Sequence, residues 1–547
     1  MTVSARVDAV VVGAGQNGLV AANLLADAGW SVLVVEQAPT PGGAVRTAEV
    51  AAPGFRSDLY SAFYPLGAAS PVFRGLRLTD FGLRWSRAPE ALAHLLPDGR
   101  AALLSRDLDT TAASVDSFAP GDGDAWREAY AQWVRVREPL LDALFRPFPP
   151  VLPAARLARA LGVADGLRLA RFGTMPVRRY GEEQFRGEGG RALLAGNAVH
   201  ADLGPDNAGS AIFGWLLAML AQDVGFPVPE GGAGRLVDAL VRRLTQRGGR
   251  IVTGVRVTEV LVRDGRAHGV RSAAGDVALA RRAVLADLAA PLLFRDLVGA
   301  EHLPPRFVAD LDRFEWDDAT VKVDWALTAP IPWKAPEARL AGTIHLDSDV
   351  DGLTDYTADL ATGRVPTEPF VLLGQLTTSD PTRSPAGTES AWAYTHVPRG
   401  TLETADEVRA HVDRIEALVE RHAPGFRDLI GGRHVQGPRD FERHNPSLDD
   451  GAINGGTAAI HQQLVFRPVP GLGRADTPVD RLFLAGASAH PGGGVHGGPG
   501  SNAARAALAR HRAGGRVYAA GIRAAMRAVY APPKSQLPPT SQLPPTS

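Results

Sequence analysis

The sequence predicts an α/β protein, and three observations favour this fold class. A β-rich run at 7–12 ends in a glycine, a helical stripe follows over 15–28, and a second apolar run occupies 31–35. A strand–helix–strand unit of this size places its two strands parallel in one sheet. Further strand-like runs occur at 251–262, 321–327, 370–376 and 481–485, with helical stretches between them.

Composition excludes several functional classes. The 547 residues include 58 basic and 59 acidic side chains, so the net charge of −1 gives no basic surplus for nucleic acid. Cysteine is absent, which rules out disulfides, Cys-ligated zinc, iron–sulfur clusters and a cysteinyl-linked flavin. The apolar run at 211–221 is shorter than the ~20 residues of a bilayer span. The N-terminus lacks the features of a signal peptide, so a cytoplasmic location is expected.

The first strand–helix–strand unit contains a dinucleotide fingerprint. Gly13, Gly15 and Gly18 form GxGxxG directly after the strand, and Glu36 ends the second strand. In this pattern the first glycine permits a tight turn, the second lets backbone approach a pyrophosphate, and the third lets helix and strand pack closely. The helix N-terminus attracts the phosphates, and the carboxylate accepts hydrogen bonds from ribose hydroxyls while repelling a 2′-phosphate. The unit therefore predicts a bound dinucleotide other than NADP.

The following segment favours FAD over NAD. Gly42, Gly43 and Arg46 lie in PGGAVRT, which resembles the GGxxR segment of the glutathione-reductase-like FAD superfamily. In that superfamily the glycine backbone and the arginine line the pyrophosphate and flavin. The other glycine-rich stretch, 231–234, follows Pro-Glu and not a strand, so it reads as a helix-opening loop. A separate NAD(P) domain is therefore not predicted, and the dinucleotide should be FAD.

A glycine-rich loop near the C-terminus carries a more specific resemblance. The run LFLAGASAHPGGGVHGGPGSNAA begins at Leu482 and combines a strand, a loop poor in side chains and a helix N-terminus, which suits the negative charge of a reduced flavin. It resembles the flavin motif of phytoene-desaturase-like FAD oxidoreductases, the carotenoid desaturase and dehydrogenase group. The start of the chain and PVPEGGAGRLVDALVRRL near residue 230 resemble the same family.

This resemblance implies a set of cofactor contacts. Val257 would contact the adenine, and the residues at the flavin would be Gly486, His490, Gly493, Gly494 and Val495. A hydrogen bond from His490 to backbone or flavin, or proton transfer by its ring, would suit a histidine in this loop. No metal site is expected, because His490 and His496 have no third ligand nearby in the sequence.

Lys322 is the second candidate catalytic residue. In VKVDWAL, alternation places Lys322, Asp324 and Ala326 on one face of a strand. The stretch resembles the segment that gives flavin amine oxidases a lysine, water-linked to flavin N5, and a buried ammonium loses its proton readily enough for that task. The alternative is a structural ion pair with Asp324 at a strand edge.

The predicted architecture is a Rossmann-type FAD-binding domain built from discontinuous segments plus a mixed α+β substrate domain. The predicted boundaries are 1–75, 226–300 and 475–530 for the FAD-binding domain, 76–225 and 301–474 for the substrate domain, and 531–547 for a disordered tail.

The predicted function is desaturation or dehydrogenation of a small, largely apolar or amphipathic substrate, with hydride transfer to FAD. Reoxidation would fall to oxygen, a quinone or another carrier, and peripheral membrane contact is possible for such a substrate. Two alternatives stay open at this stage: a flavin amine oxidase acting on C–N bonds, and a flavin-binding interaction protein without net turnover. The aromatic cluster Tyr60, Phe63 and Tyr64 could line the substrate pocket.

Overall fold

The computed structural model describes residues 4–532, and within that range the chain is a mixed α/β protein with two seven-stranded sheets. The strands are β1 Ala5–Val12, β2 Val32–Val35, β3 Thr47–Ala48, β4 Ser57–Asp58, β5 Trp85–Ser86, β6 Glu90–Leu95, β7 Ala101–Leu104, β8 Val228–Pro229, β9 Arg250–Val252, β10 Val257–Arg263, β11 Arg266–Ser272, β12 Val277–Ala286, β13 Ala319–Leu327, β14 Ala341–Leu346, β15 Val371–Gln375, β16 Glu389–Val397, β17 Ile430–Gln436 and β18 Leu482–Leu484.

Helices surround the two sheets. They are α1 Gln16–Asp27, α2 Pro65–Ala69, α3 Pro71–Leu76, α4 Leu108–Asp116, α5 Asp122–Leu144, α6 Val151–Phe172, α7 Val177–Gln184, α8 Glu188–Val199, α9 Ser210–Val224, α10 Gly234–Gln246, α11 Pro305–Leu311, α12 Val350–Ala361, α13 Leu376–Ser379, α14 Ala405–His422, α15 Pro438–His444, α16 Gly498–His511 and α17 Gly515–Val529. A π-helix spans Leu292–Val298, and α6 is broken at Gly162 by non-helical backbone angles.

The first sheet has the order β10-β11-β12-β1-β2-β9, and β18 also pairs with β12. Strands β9, β2, β1, β12 and β18 run parallel, as a Rossmann-type sheet requires. The long β12 pairs with β11 along its first residues and with β18 along its last, while β1 runs beside it on the other side. The parallel strands are almost wholly buried, as expected for a sheet covered on both faces.

The run at 251–262 is two strands and not the one strand that its alternation predicts. Strands β9 and β10 are separated by a turn at Gly254, which has a φ of +71°. Strand β9 pairs with β2, whereas β10 lies at the opposite edge of the sheet against β11. A glycine in the left-handed region reverses the chain here, and a two-residue alternation does not register that reversal.

The second sheet has the order β17-β13-β16-β15-β14-β6-β7. All its neighbours are antiparallel except β14 and β6, which run parallel. Strand β13 confirms the predicted alternation: Val321, Val323, Trp325 and Leu327 pack in one apolar cluster. It lies inside the sheet between β17 and β16, and not at an edge.

Helix α16 starts at Gly498, four residues before the predicted start at Asn502, so its first turn adjoins the glycine-rich loop. No helix in the described part of the chain is both long and apolar enough to cross a bilayer. The predicted tail at 531–547 lies, after its first two residues, outside the described residues.

Candidate cofactor and substrate site

A cavity of about 510 Å³ extends from the carboxyl ends of the first sheet to one face of the second sheet. The predicted cofactor residues from the beginning, middle and end of the chain meet on its wall. Those that line it are Gly13, Gly15, Glu36, Gly43, Arg46, Val257, Gly486, Gly493, Gly494 and Val495, together with Lys322.

Helix α1 presents its N-terminus to this cavity. Gly13 turns the chain after β1 with a φ of +90°, and Gly15 is the N-cap residue and provides no side-chain cap. A Cβ atom on Gly15 would lie 2.5 Å from Oδ2 of Asp287, so a larger residue does not fit there. Backbone N–H groups at such a helix start are suited to an anionic group.

Gly18 and Gly42 do not line the cavity, and their role is packing. A Cβ atom on Gly18 would collide with the carbonyl oxygen of Gly13. Gly42 has a φ of +134°, and a Cβ atom there would lie 2.8 Å from the carbonyl oxygen of Val45. Both glycines therefore shape the loop that carries the contacts, which for Gly18 is the packing role that the fingerprint predicts.

Glu36 directly follows β2, and its carboxylate is buried. Its Oε2 accepts a 2.7 Å hydrogen bond from the N–H of Ala14, and its Oε1 accepts one of 2.7 Å from the N–H of Ala38. Each carboxylate oxygen keeps a further lone pair, so Glu36 can also accept from a ribose hydroxyl.

Asp287 is a wall residue that the sequence analysis missed. It directly follows β12, and its Oδ2 accepts a 2.8 Å hydrogen bond from the N–H of Gly18. Burial raises the pKa of Asp287 to about 7; the Gly18 hydrogen bond opposes this rise, and nearby Glu36 adds to it. Its place after a strand parallel to β1 could have identified it, because ligands of such sheets bind at the carboxyl ends of the strands.

Arg46 offers an unpaired donor to the cavity. Its Nη2 donates a 2.7 Å hydrogen bond to the carbonyl of Thr40, whereas its buried Nε has no hydrogen-bond partner within residues 4–532. Buried polar groups are nearly always paired, so this N–H is suited to an anionic ligand.

The C-terminal loop forms another part of the wall. A Cβ atom on Gly493 would lie 2.8 Å from the carbonyl oxygen of Asn454, so backbone lies against backbone here. The ring of His496 is fixed by its neighbours: Nε2 lies 3.0 Å from the carbonyl of Gly493, and Nδ1 accepts from the N–H of Gly498. Helix α16 then begins without a side-chain cap. Two helix N-termini thus adjoin one cavity.

His490 does not line the cavity. Its ring packs edge-on against Phe148, with the ring centroids 6.4 Å apart, and burial lowers its pKa to about 4. Its carbonyl accepts a hydrogen bond from Asn502 of α16. This geometry gives His490 a packing position behind the flavin loop and offers no support for the predicted catalytic role.

The end of the cavity against the second sheet is largely apolar and aromatic. All three residues of the predicted aromatic cluster, Tyr60, Phe63 and Tyr64, lie on its wall. Other lining residues of this end are Leu66, Phe213, Leu216, Leu217, Trp392 and Tyr394. The rings of Trp392 and Tyr394 stack with their centroids 5.5 Å apart.

Lys322 lines the same end and is paired. Its Nζ lies 2.5 Å from Oδ1 of Asp324, and both side chains are buried. Burial lowers the pKa of Lys322 and raises that of Asp324, while each partner opposes the shift of the other. The predicted pairing with Asp324 is present, but the predicted strand-edge setting is wrong because β13 lies between β16 and β17.

These features fit a long anionic dinucleotide. The uncapped start of α1 and the unpaired Arg46 donor suit a pyrophosphate, Glu36 suits a ribose, and the loop beside α16 suits a flavin ring.

Comparison with known proteins identifies the family. Residues 11–76 match a family model described as an NAD(P)-binding Rossmann-like domain. Over 545 residues the chain is 30% identical to "Pyridine nucleotide-disulfide oxidoreductase domain-containing protein 2" of Rattus norvegicus, covering 91% of this chain and 92% of that protein. It is 27% identical to "Phytoene desaturase (lycopene-forming)" of Pseudescherichia vulneris, covering 91% of this chain and 98% of that protein. The chain belongs to the phytoene-desaturase-like FAD oxidoreductases.

Other relatives extend this comparison. The phytoene-desaturase-like chain is 25% identical to one of the limonene dehydrogenase polypeptides of Castellaniella defragrans, covering 91% of this chain and 94% of that protein. An oxidoreductase from Methanosarcina mazei shares its fold with a TM-score of 0.61 at 17% identity, covering 91% and 99% of the two chains. Putrescine oxidase bound to putrescine shares it with a TM-score of 0.57 at 17% identity, covering 95% and 99%. The cofactor of this phytoene-desaturase-like oxidoreductase is FAD, held by the dinucleotide end of the cavity.

Proposed function

We propose that this oxidoreductase dehydrogenates a largely apolar substrate at a CH–CH bond and leaves a carbon–carbon double bond. The observation that carries the proposal is the character of the substrate end, where apolar and aromatic side chains form most of the wall. Within residues 4–532 the carboxylates that line the cavity are Glu36, Asp287 and Asp296. The first two lie at the fingerprint, and Asp296 lies on the π-helix that packs on β10, so all belong to the dinucleotide end.

A cationic amine would therefore find no carboxylate on the wall of the substrate end, whereas a hydrocarbon would be surrounded by matching surface. The relatives named after limonene and phytoene, both hydrocarbons, agree with this choice. FAD supplies the two-electron acceptance when it is bound. The chain's own part is to orient the substrate between Phe63, Trp392 and Tyr394 and to exclude water from it.

Amine oxidation is the second candidate, and one observation favours it. Lys322 lies on the wall beside the stacked pair Trp392 and Tyr394, with its Nζ 5.9 Å from the centre of the Trp392 ring. A neutral amine could be oriented between two aromatic faces. Resemblance to putrescine oxidase concerns the fold and does not decide between the candidates.

Anaerobic bleaching of the bound flavin separates these candidates. Purified protein is mixed with limonene or phytoene in detergent micelles, or with putrescine or cyclohexylamine. Bleaching by a hydrocarbon supports the proposal, and bleaching by an amine alone replaces it with the second candidate. Loaded protein that none of the four bleaches would indicate a flavin-binding interaction protein. Readmission of oxygen or addition of a soluble quinone then identifies the acceptor, for which oxygen, a quinone or another carrier is proposed.

We further propose that helix α6 brings the enzyme to an anionic lipid surface from which an apolar substrate enters. Val151, Leu152, Val163 and Leu167 on this helix are 67%, 68%, 82% and 69% exposed. Exposed arginines lie among them at positions 156, 159 and 168. An apolar stripe flanked by cations matches the interface of an anionic bilayer. Leu144, which lines the cavity, ends the helix that precedes α6 and packs on it.

A further inference from the structure

The proposed dehydrogenation leaves one proton to be placed, and the cavity wall holds few groups that could accept it. The tyrosines do not qualify, because burial raises the pKa of Tyr60, Tyr64 and Tyr394 and keeps their phenols protonated. Lys322 is engaged in its ion pair with Asp324.

Three histidines line the cavity, and two of them are engaged elsewhere. Both ring nitrogens of His496 have backbone partners, and Nδ1 of His444 lies 2.8 Å from the carbonyl of Asp440. His200 differs: its Nδ1 is buried and has no hydrogen-bond partner in the described range. Burial lowers the pKa of His200 to about 4, so its ring is neutral and one nitrogen has a free lone pair.

The position of His200 places it at the substrate end. It is the C-cap residue of α8, and its backbone N–H donates to the carbonyl of Gly196. Its ring lies edge-on to Tyr394, with the ring centroids 6.2 Å apart. Tyr394 is the register partner of Lys322 across β16 and β13. A substrate that lies against Tyr394 therefore has His200 and Lys322 on the surrounding wall.

The groups around His200 favour a transient positive charge on its ring. The carbonyl end of α8 stabilises a cation at the C-cap. Asp202 lies two residues further on, and its Oδ1 is 2.8 Å from Nε2 of His396. Burial tends to lower the pKa of His396, but Asp202, with Asp318 and Asp317, outweighs it and raises that pKa to about 9.

Two imidazoles also face the ring of His200. The cationic His396 opposes a charge on it, and the neutral ring of His345 packs on the side away from Tyr394, 6.2 Å from it between centroids. The three carboxyl groups outnumber the one cation in this cluster, so a proton can reside on His200 briefly and leave again.

We propose that His200 accepts the proton that the substrate loses during dehydrogenation. One substrate C–H bond gives up its hydrogen with both electrons, which are received by the oxidised cofactor. The neighbouring C–H bond breaks, its electron pair forms the new double bond, and its proton bonds to Nε2 of His200, while Nδ1 keeps the proton of the neutral ring. The substrate is oxidised by two electrons, and His200 becomes an imidazolium. This inference rests on the proposed function.

The test uses the FAD-loaded full chain in anaerobic stopped flow, with limonene and phytoene in micelles as probes. His200→Gln should retain FAD and the wild-type melting temperature, and its flavin spectrum should shift at the same substrate concentration. Its reductive rate should fall about 10²–10⁴-fold, as expected for loss of a positioned base. His200→Ala should be equally slow and should regain rate with added imidazole. His302→Gln, a histidine beside Glu301 that does not line the cavity, is the matched control.

The outcomes separate the two levels of the proposal. A wild-type flavin that neither hydrocarbon bleaches contradicts the proposed function, and the inference falls with it. A wild-type flavin that is bleached, with an unchanged rate in His200→Gln, overturns the role of His200 alone. A slow His200→Gln whose half-saturating substrate concentration rises with no change in limiting rate would assign His200 to substrate binding, which also contradicts the inference.

Discussion

Asp287 accepts a 2.8 Å hydrogen bond from the backbone N–H of Gly18, so a carboxyl group lies at the helix start where the FAD pyrophosphate binds. The strand pairing explains this, because β12 runs parallel to β1 and both end at the same edge of the sheet. An ionised Asp287 and a pyrophosphate would repel one another. The raised pKa of Asp287, about 7, allows the carboxyl to be protonated near neutral pH.

We therefore predict that FAD affinity falls as pH rises through 7. Release of the Asp287 proton leaves a second anion beside the pyrophosphate, and linkage to one proton limits the loss to about tenfold per pH unit. Titrations of flavin fluorescence from about pH 6 to about pH 9 measure the slope. Asp287→Asn should bind with little pH dependence, whereas Asp296→Asn should keep the wild-type slope. Equal slopes in wild type and Asp287→Asn would assign the effect to another group.

Gly15→Val should abolish FAD binding. Any Cβ atom at Gly15 lies 2.5 Å from the Asp287 carboxyl and adds bulk where the pyrophosphate approaches the backbone. Colourless protein that stays colourless after incubation with FAD is the expected result. Gly521→Ala is the matched control, since a Cβ atom there meets nothing within 4 Å. A yellow Gly15→Val protein with stoichiometric FAD would place the pyrophosphate elsewhere.

Lys322→Met should destabilise the fold by about 3–5 kcal/mol, because it leaves the Asp324 carboxyl buried without its partner. This is more than the cost of an exposed pair at a strand edge, which is typically about 0–1 kcal/mol. Denaturant melts measure it, and adding Asp324→Asn should restore most of the loss.

Stopped-flow reduction of the same double variant then tests catalysis separately from stability. If the Lys322 amine acts on the proton step, the rate should stay low after stability is restored, by about 10²–10⁴-fold. A stable double variant with wild-type rates would make the ion pair purely structural.

Vesicles containing anionic lipid should bind the enzyme, and zwitterionic vesicles should bind it less. Replacing Val163 and Leu167 by serine should weaken flotation with vesicles, because it removes apolar area from α6, and added salt should weaken the wild type. Val517→Ser is the matched control, as Val517 is 77% exposed on α17. Flotation that is equal in all three proteins would refute the contact.

Local patterns predicted the parts of the fold whose signals lie close together in the sequence. The turn at Gly13 and the first helix have their causes within about one turn of chain, and the alternation of 321–327 matches β13. The capping box of Thr404 and Glu407 likewise begins α14 at Ala405, one residue after the predicted start at Thr404.

Features that depend on long-range pairing were beyond such patterns. Nothing in 251–262 indicates that its two halves join opposite edges of one sheet. Asp287 and His200 stand next to ordinary residues, and only the tertiary structure brings them to the cavity. The misplaced expectation for His490 has the same origin, since a loop motif fixes which residues are near the flavin but not which way a ring faces.

The pairing of β18 with β12 has a consequence for synthesis on the ribosome. Leu484 lies beside Ala286, so the edge of β12 stays open while the chain between them is translated. Long-range pairings of this kind form late and expose unpaired backbone in the meantime. A nascent chain therefore has its fingerprint glycines long before the flavin loop exists. Release from chaperones and acquisition of colour should accordingly coincide, near the end of translation.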